Sequence, residues 1–168
     1  YGTTLRGLML HHNVDPEDYL SYVHNLPLER YVRPNPLLER VLTDLPLSKA
    51  IFTNASEEHA RRVLALLGVE QHFSAIVDIR ATQYFNKPDP KAYQLALSML
   101  QAQPEECILL DDSDRNLLPG REMGMVTVLV GSDRSDTAHF AIAEIEMLPD
   151  VVSQLDGRLR SHRDRNRG

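Results

Sequence analysis

Three short clusters carry the side chains on which chemistry could be built. Phe52-Thr53-Asn54-Ala55-Ser56 follows an apolar run and opens an amphipathic one. A hydroxyl and free backbone N–H groups at a helix start make an anion site. The same residues could equally form a turn and a helix cap. Asn86-Lys87-Pro88-Asp89-Pro90 carries one lysine on a loop stiffened by two prolines, just ahead of a helix. A rigidly held ammonium can neutralise a phosphate and a neighbouring carboxylate, although a surface lysine in a proline turn has the same pattern. Leu109-Leu110-Asp111-Asp112-Ser113 places two adjacent carboxylates after an apolar strand. Like charges side by side repel, and a divalent ion relieves that. Mg²⁺ takes oxygen ligands and keeps several waters, so one or two carboxylates suffice. Capping the next helix would need only one of them.

The elements that must position these clusters are legible in the pattern. Helices are expected over residues 1–45. Leu5, Leu8, Met9 and His12 share a face; Asp15-Pro16 and Asn35-Pro36 each open a further helix. In both pairs a capping side chain precedes a proline whose missing N–H costs nothing in the first turn. From Leu47 the pattern becomes an alternation of short apolar runs and amphipathic segments. Strands are expected at 50–52, 75–77, 107–110 and 126–130. Helices are expected at 56–67, stopped by Gly68, and at 89–101 and 116–123. Pro119-Gly120 inside the last of these predicts a kink or an earlier start. Strand–helix alternation implies an α/β fold, a doubly wound parallel sheet with helices on both faces. Ligands in such sheets bind beyond the carboxyl ends of the strands, where all three clusters fall.

Composition narrows the partners. The 168 residues suit a core with a small appendage, and a 42% hydrophobic content suffices for a sizeable interior. The net charge of −6 speaks against nucleic acid or an anionic membrane as partner. A single cysteine, Cys107, precludes an internal disulfide and suits a reducing, cytoplasmic setting. The last thirteen residues, 156–168, hold five arginines and read as a flexible basic tail.

Taken together and in chain order, the clusters resemble the motifs of the haloacid-dehalogenase-like (HAD) hydrolase superfamily. Ile51-Phe52-Thr53-Asn54 is similar to its second motif, Lys87-Pro88 to its third, and Leu110-Asp111-Asp112-Ser113 with Asn116 to its fourth. Tyr1-Gly2-Thr3-Thr4-Leu5-Arg6-Gly7-Leu8 and the Thr53, Asp111 and Asn116 segments resemble, more narrowly, pyrimidine 5'-nucleotidases, as does Leu148-Pro149-Asp150-Val151-Val152. The resemblance implies a Mg²⁺-dependent phosphatase acting on a small phosphorylated metabolite or a pyrimidine nucleoside 5'-monophosphate. Thr53 would then bond a phosphate oxygen with the Asn54 backbone assisting. Lys87 would hold nucleophile and phosphate. Asp112 would ligate Mg²⁺, with Asp111 as a second or outer-sphere ligand. Residues 1–45 would be part of a cap, and 46–155 the core.

One element of the family pattern has no match. An Asp-x-Asp-x-Thr at the end of the first strand should supply the attacking aspartate and, two positions on, the acid/base. Asp112 and Asp114 share that spacing but lie in the fourth motif. The expectation is therefore that the nucleophile precedes Tyr1, that the same segment supplies the sheet's central strand, and that the 168 residues by themselves are inactive. The competing expectation is a non-catalytic phosphate- or Mg²⁺-binding module of the same fold. Tyr19, Tyr22, His11 and His12 are candidates to face the pocket, although tyrosines at helical spacing commonly serve the core.

Overall fold

The computed structural model describes residues 3–155. Its helices begin where capping chemistry demands. In α1 (Thr4–His12) the Thr3 hydroxyl accepts from Arg6 N, and in α2 (Pro16–His24) Asp15 accepts from Glu17 N at 2.7 Å and from Asp18 N. In α3 (Pro36–Asp44) Asn35 accepts from Leu38 N at 3.0 Å. Each such cap contributes about 1 kcal/mol.

Strand β1 (Ala50–Phe52) pairs parallel with β2 (Ala75–Val77), and α4 (Glu57–Leu67) connects them. Gly68, at φ 78, ends α4 in the left-handed conformation that a Cβ disfavours. Strand β3 (Ile108–Asp111) pairs parallel with β4 (Val126–Val130), and β4 with β5 (Phe140–Ile142). Helix α5 (Pro90–Leu100) leads from β2 to β3, and α6 (Asp114–Glu122) from β3 to β4. This is the α/β fold with parallel strands and intervening helices that the sequence implies. β5 was not expected from the sequence. Helix α6 starts at Asp114, two residues before Asn116, and contains the buried Pro119. Gly120 lets α6 lie close on the sheet: a Cβ there would meet Leu109 Cδ2 at 2.5 Å.

The packing does not divide at residue 45. Val41 and Leu45, from α3 and its end, join Val128, Ile142, Leu148 and Val151 in one core cluster, while Leu42 packs with Leu64 and Val69. Helix α3 therefore belongs with the core by its contacts. Leu5 of α1 and Leu20 of α2 pack instead on Ile79, just after β2. Each buried leucine is worth roughly 1.5–3 kcal/mol, enough to seat these two helices. The expected tail, 156–168, lies outside the described residues.

The strands fall into two sheets, β1-β2 and β3-β4-β5. Among the described residues β1 and β3 thus each keep one edge without a strand partner. The apolar residues of β3 are only partly buried along its whole length, whereas Thr127, Val128 and Leu129 in the middle of β4 are buried. Both open strands feed one cluster: Phe52 of β1 and Leu109 of β3 pack with Ala92, Tyr93 and Met125. An apolar strand with an open edge is a template for pairing.

Candidate active site

The carboxyl ends of β1 and β3 meet at Lys87. After β1, Thr53 N donates to Val77 O at 3.0 Å, which extends the pairing by one bond. The Thr53 hydroxyl oxygen accepts from Ala55 N at 3.0 Å, turning the chain into α4 and leaving its proton to donate elsewhere. Asn54 reaches across to the Lys87 loop. Its Oδ1 accepts from Lys87 N at 2.7 Å, and its Nδ2 donates to Lys87 O at 3.1 Å. Buried Asn86 donates to the same carbonyl at 2.9 Å. The Lys87–Pro88 peptide is cis.

With its backbone clamped, Lys87 extends past Phe52, whose ring centroid lies 5.0 Å from Nζ, to Asp111. Nζ donates to Asp111 Oδ2 at 2.7 Å, and the two side chains are only 11% and 6% exposed. The other oxygen, Oδ1, accepts from Ser113 N at 3.0 Å and Asn116 Nδ2 at 2.9 Å. Asn116 is fixed in turn by the Tyr93 hydroxyl, which donates to its carbonyl. Burial, reinforced by the Asp111 carboxylate, pushes the Tyr93 phenol up, so it stays a donor at neutral pH. An ion pair this deep is costly to break from one side, about 3–5 kcal/mol, because the survivor is left charged and unpaired.

The structure thus joins Asn54, Lys87 and Asp111 through hydrogen bonds, with Thr53 next to Asn54 in the chain. Asn54 holds the lysine backbone through its side-chain amide. Asp111 has both oxygens engaged by N–H donors, which favours an outer-sphere place over direct ligation. Asp112 is exposed, next in the chain to the pair but without a described contact to Lys87. Asp114 accepts from the Ser135 hydroxyl. Mg²⁺ asks for few protein carboxylates. Among the described residues no group of three or more metal-ligating side chains is assembled. Asp112 and the neighbouring Asp111 therefore fit part of a Mg²⁺ site, with Asp112 the available carboxylate.

A second polar array joins the first two helices to the core, and nothing in the sequence pattern marked it. Arg80, after β2, pairs with Glu17 of α2 at 2.7 Å and Glu58 of α4 at 2.8 Å, and lies 3.4 Å from buried Asp78. The Tyr84 hydroxyl donates to Glu17 Oε1 at 2.7 Å. Hydrogen bonds from Arg80 and Tyr84 pull the Glu17 carboxyl down to about 2, and the Glu17 bond pushes the Tyr84 phenol up to about 12. Beside this array the His24 and His59 rings stack at 4.2 Å, and His24 Nδ1 lies 3.1 Å from Ser56 Oγ. Burial lowers both imidazole pKa values. Of the aromatic and histidine candidates on α1 and α2, Tyr19 packs against the Leu5–Leu20–Ile79 cluster, and Tyr22, 83% exposed, faces solvent. His11 and His12 are exposed.

The loops after two parallel strands thus bring Asn54, Lys87 and Asp111 into one hydrogen-bonded group, with Thr53 and Asp112 next to them in the chain. Residues 8–124 match the model of the haloacid dehalogenase-like hydrolases, and the chain belongs to that family. It is 41% identical over 100 residues to bifunctional epoxide hydrolase 2 of Rattus norvegicus, covering 57% of this chain and 17% of that protein. It is 28% identical over 146 residues to phosphate metabolism protein 8 of Saccharomyces cerevisiae, covering 77% of this chain and 45% of that one. The chain thus spans less than half the length of these relatives. A conserved haloacid dehalogenase-like protein from Agrobacterium tumefaciens has a similar fold, with a TM-score of 0.66 at 17% identity over 93% of this chain and 85% of that one. Among the described residues no helix is long and apolar enough to cross a membrane.

Proposed function

We propose that the protein is a phosphatase of this family that hydrolyses a small phosphomonoester, a pyrimidine nucleoside 5'-monophosphate being the substrate class that the sequence motifs favour. The reading rests above all on Lys87, whose ammonium, on a side chain 11% exposed, is paired with Asp111 while Asn54, the neighbour of Thr53 in the chain, clamps its backbone. Such a cation holds a phosphate dianion where water is excluded and steadies the charge that develops during transfer. Thr53 donates to a phosphate oxygen. Asp111 keeps Lys87 oriented, and Asn116 and Ser113 keep Asp111 oriented. Asp112, with Asp111 behind it, would hold Mg²⁺, which when bound offsets the charge of the transferring group.

The attacking aspartate belongs, on this reading, to a strand that precedes Tyr1 in the polypeptide and fills the open edges of β1 and β3. The only partly buried β3 and the shared Phe52–Leu109 cluster support that reading. It forms an aspartyl-phosphate that water then hydrolyses. The α1–α2 pair, latched through Arg80 to Glu17, would cover the substrate. The test is hydrolysis of an aryl phosphate with Mg²⁺ by the 168 residues alone and by the polypeptide extended through its upstream coding sequence. The extended form should turn over and the short form should not. Equal turnover by the two would refute the upstream nucleophile.

A further inference from the structure

Beside the Lys87 loop lies a cavity of about 410 Å³ whose lining includes Arg6, Asn86, Pro88, Asp89, Pro90 and Arg115. Asn86 and Pro88 flank Lys87 in the chain, so the cavity adjoins the loop that carries the ammonium. Its two arginines come from opposite parts of the fold, Arg6 from α1 and Arg115 from the first turn of α6. Among the described residues neither forms an ion pair. Arg6 is oriented by a long bond from Nη1 to Tyr84 O, 3.4 Å, and by its guanidinium lying 4.9 Å from the Phe85 ring centroid. Lys91 lies over the same ring at 4.6 Å. The one carboxylate in the lining, Asp89, caps α5, its Oδ1 accepting from Lys91 N at 2.9 Å. In a chain of net charge −6, two arginines that form no ion pair among the described residues share one cavity whose only carboxylate is Asp89. Guanidinium groups bind phosphate and carboxylate through paired N–H donors, and the cavity is of the size small ligands occupy.

We propose that Arg6 and Arg115 form a second anion subsite, which selects small phosphomonoesters bearing a further anionic group, a phosphate or a carboxylate, over the singly anionic nucleoside 5'-monophosphates that the motifs alone favour. The proposal rests on the reading of Lys87 and Thr53 as the primary phosphate site. It makes Arg6 a contact supplied by α1, so that substrate bound at both subsites ties the first helix to α6.

Isothermal titration of the 168-residue protein with three probes tests it: propyl phosphate, 2-carboxyethyl phosphate and propane-1,3-diyl bisphosphate. At least one of the doubly anionic probes should bind about tenfold tighter than propyl phosphate, a difference of about 1.4 kcal/mol. The one preferred identifies the second group as carboxylate or phosphate. In the double variant Arg6→Gln/Arg115→Gln the preference should vanish while propyl phosphate binds as before. Arg40→Gln, an exposed arginine on α3, should leave it intact, and Thr53→Ala should weaken all three probes alike. Equal affinity for all probes in the unmodified protein overturns the subsite. So does a preference that survives the double variant or is lost equally in Arg40→Gln. Failure of every probe to bind overturns the primary phosphate site with it.

Discussion

The side-chain amide of Asn54 bonds both main-chain groups of Lys87, accepting from its N–H at 2.7 Å and donating to its carbonyl at 3.1 Å. Residues 33 positions apart, on loops after different strands, are thereby locked as if they were paired strand neighbours. This clamp fixes the backbone of the lysine that carries the site's positive charge independently of its side-chain contact with Asp111.

Replacing Asn54 should accordingly disturb both stability and phosphate binding. Asn54→Leu leaves the Lys87 N–H without its acceptor, at a cost of about 1–3 kcal/mol. Urea unfolding should show that loss, and inorganic phosphate should bind more weakly. Unchanged unfolding and unchanged binding would mean the clamp is incidental.

Lys87 and Asp111 should prove strongly coupled. Lys87→Met alone should destabilise by about 3–5 kcal/mol, since it strands a buried carboxylate. Adding Asp111→Asn should restore part of that, because the amide can still accept from Ser113 N without a buried charge. A double-mutant cycle whose single costs simply add would contradict the pair as described.

Acid should loosen the latch between α2 and the core. Glu17 titrates at about 2 in the folded protein against an ordinary 4.5. Between those values the unfolded chain binds more protons, so the stability Glu17 contributes is complete above pH 4.5 and is lost as pH falls towards 2. The carboxylate is half exposed, so salt screens the effect. The stability gap between the protein and Glu17→Gln, followed by urea unfolding, should therefore shrink from pH 5 to pH 2.5. It should also be smaller in 0.5 M salt (on the order of a 4–5 Å screening length). A constant gap would rule out the ionised latch.

The stacked histidines add a milder dependence nearer neutrality. Burial lowers the folded pKa values of His24 and His59 below 6.5. The unfolded chain then takes up protons first as pH falls, and stability declines through and below pH 6.5. Replacing both rings with glutamine should flatten the stability profile in that window. A slope that persists in the double variant would place its origin in other groups.

What the sequence disclosed, and what it hid, follows from the range of each interaction. Asp15-Pro16, Asn35-Pro36 and Asp89-Pro90 announce helix starts because cap and proline act within one turn. Gly68 announces an end for the same reason. The three clusters were legible since each precedes a helix, those of Thr53 and Asp111 directly at a strand end. Which atoms of Asn54 work, and on what, was not, because residue type does not say whether side chain or backbone is used. The same limit applied to Asp111, whose two oxygens turn out to be taken by Lys87, Ser113 and Asn116. Arg80 was invisible, since its partner Glu17 is 63 residues away and no period links them.

The convergence of Thr53, Lys87 and the Asp111 loop on one phosphate is tested most directly by an amide nuclear magnetic resonance titration with inorganic phosphate. Shift changes should concentrate on the backbone of Thr53, Asn54, Ala55, Lys87 and Ser113 and saturate with one common affinity. Phosphate that perturbs residues remote from this loop cluster, while leaving Thr53 and Lys87 unmoved, would contradict the account.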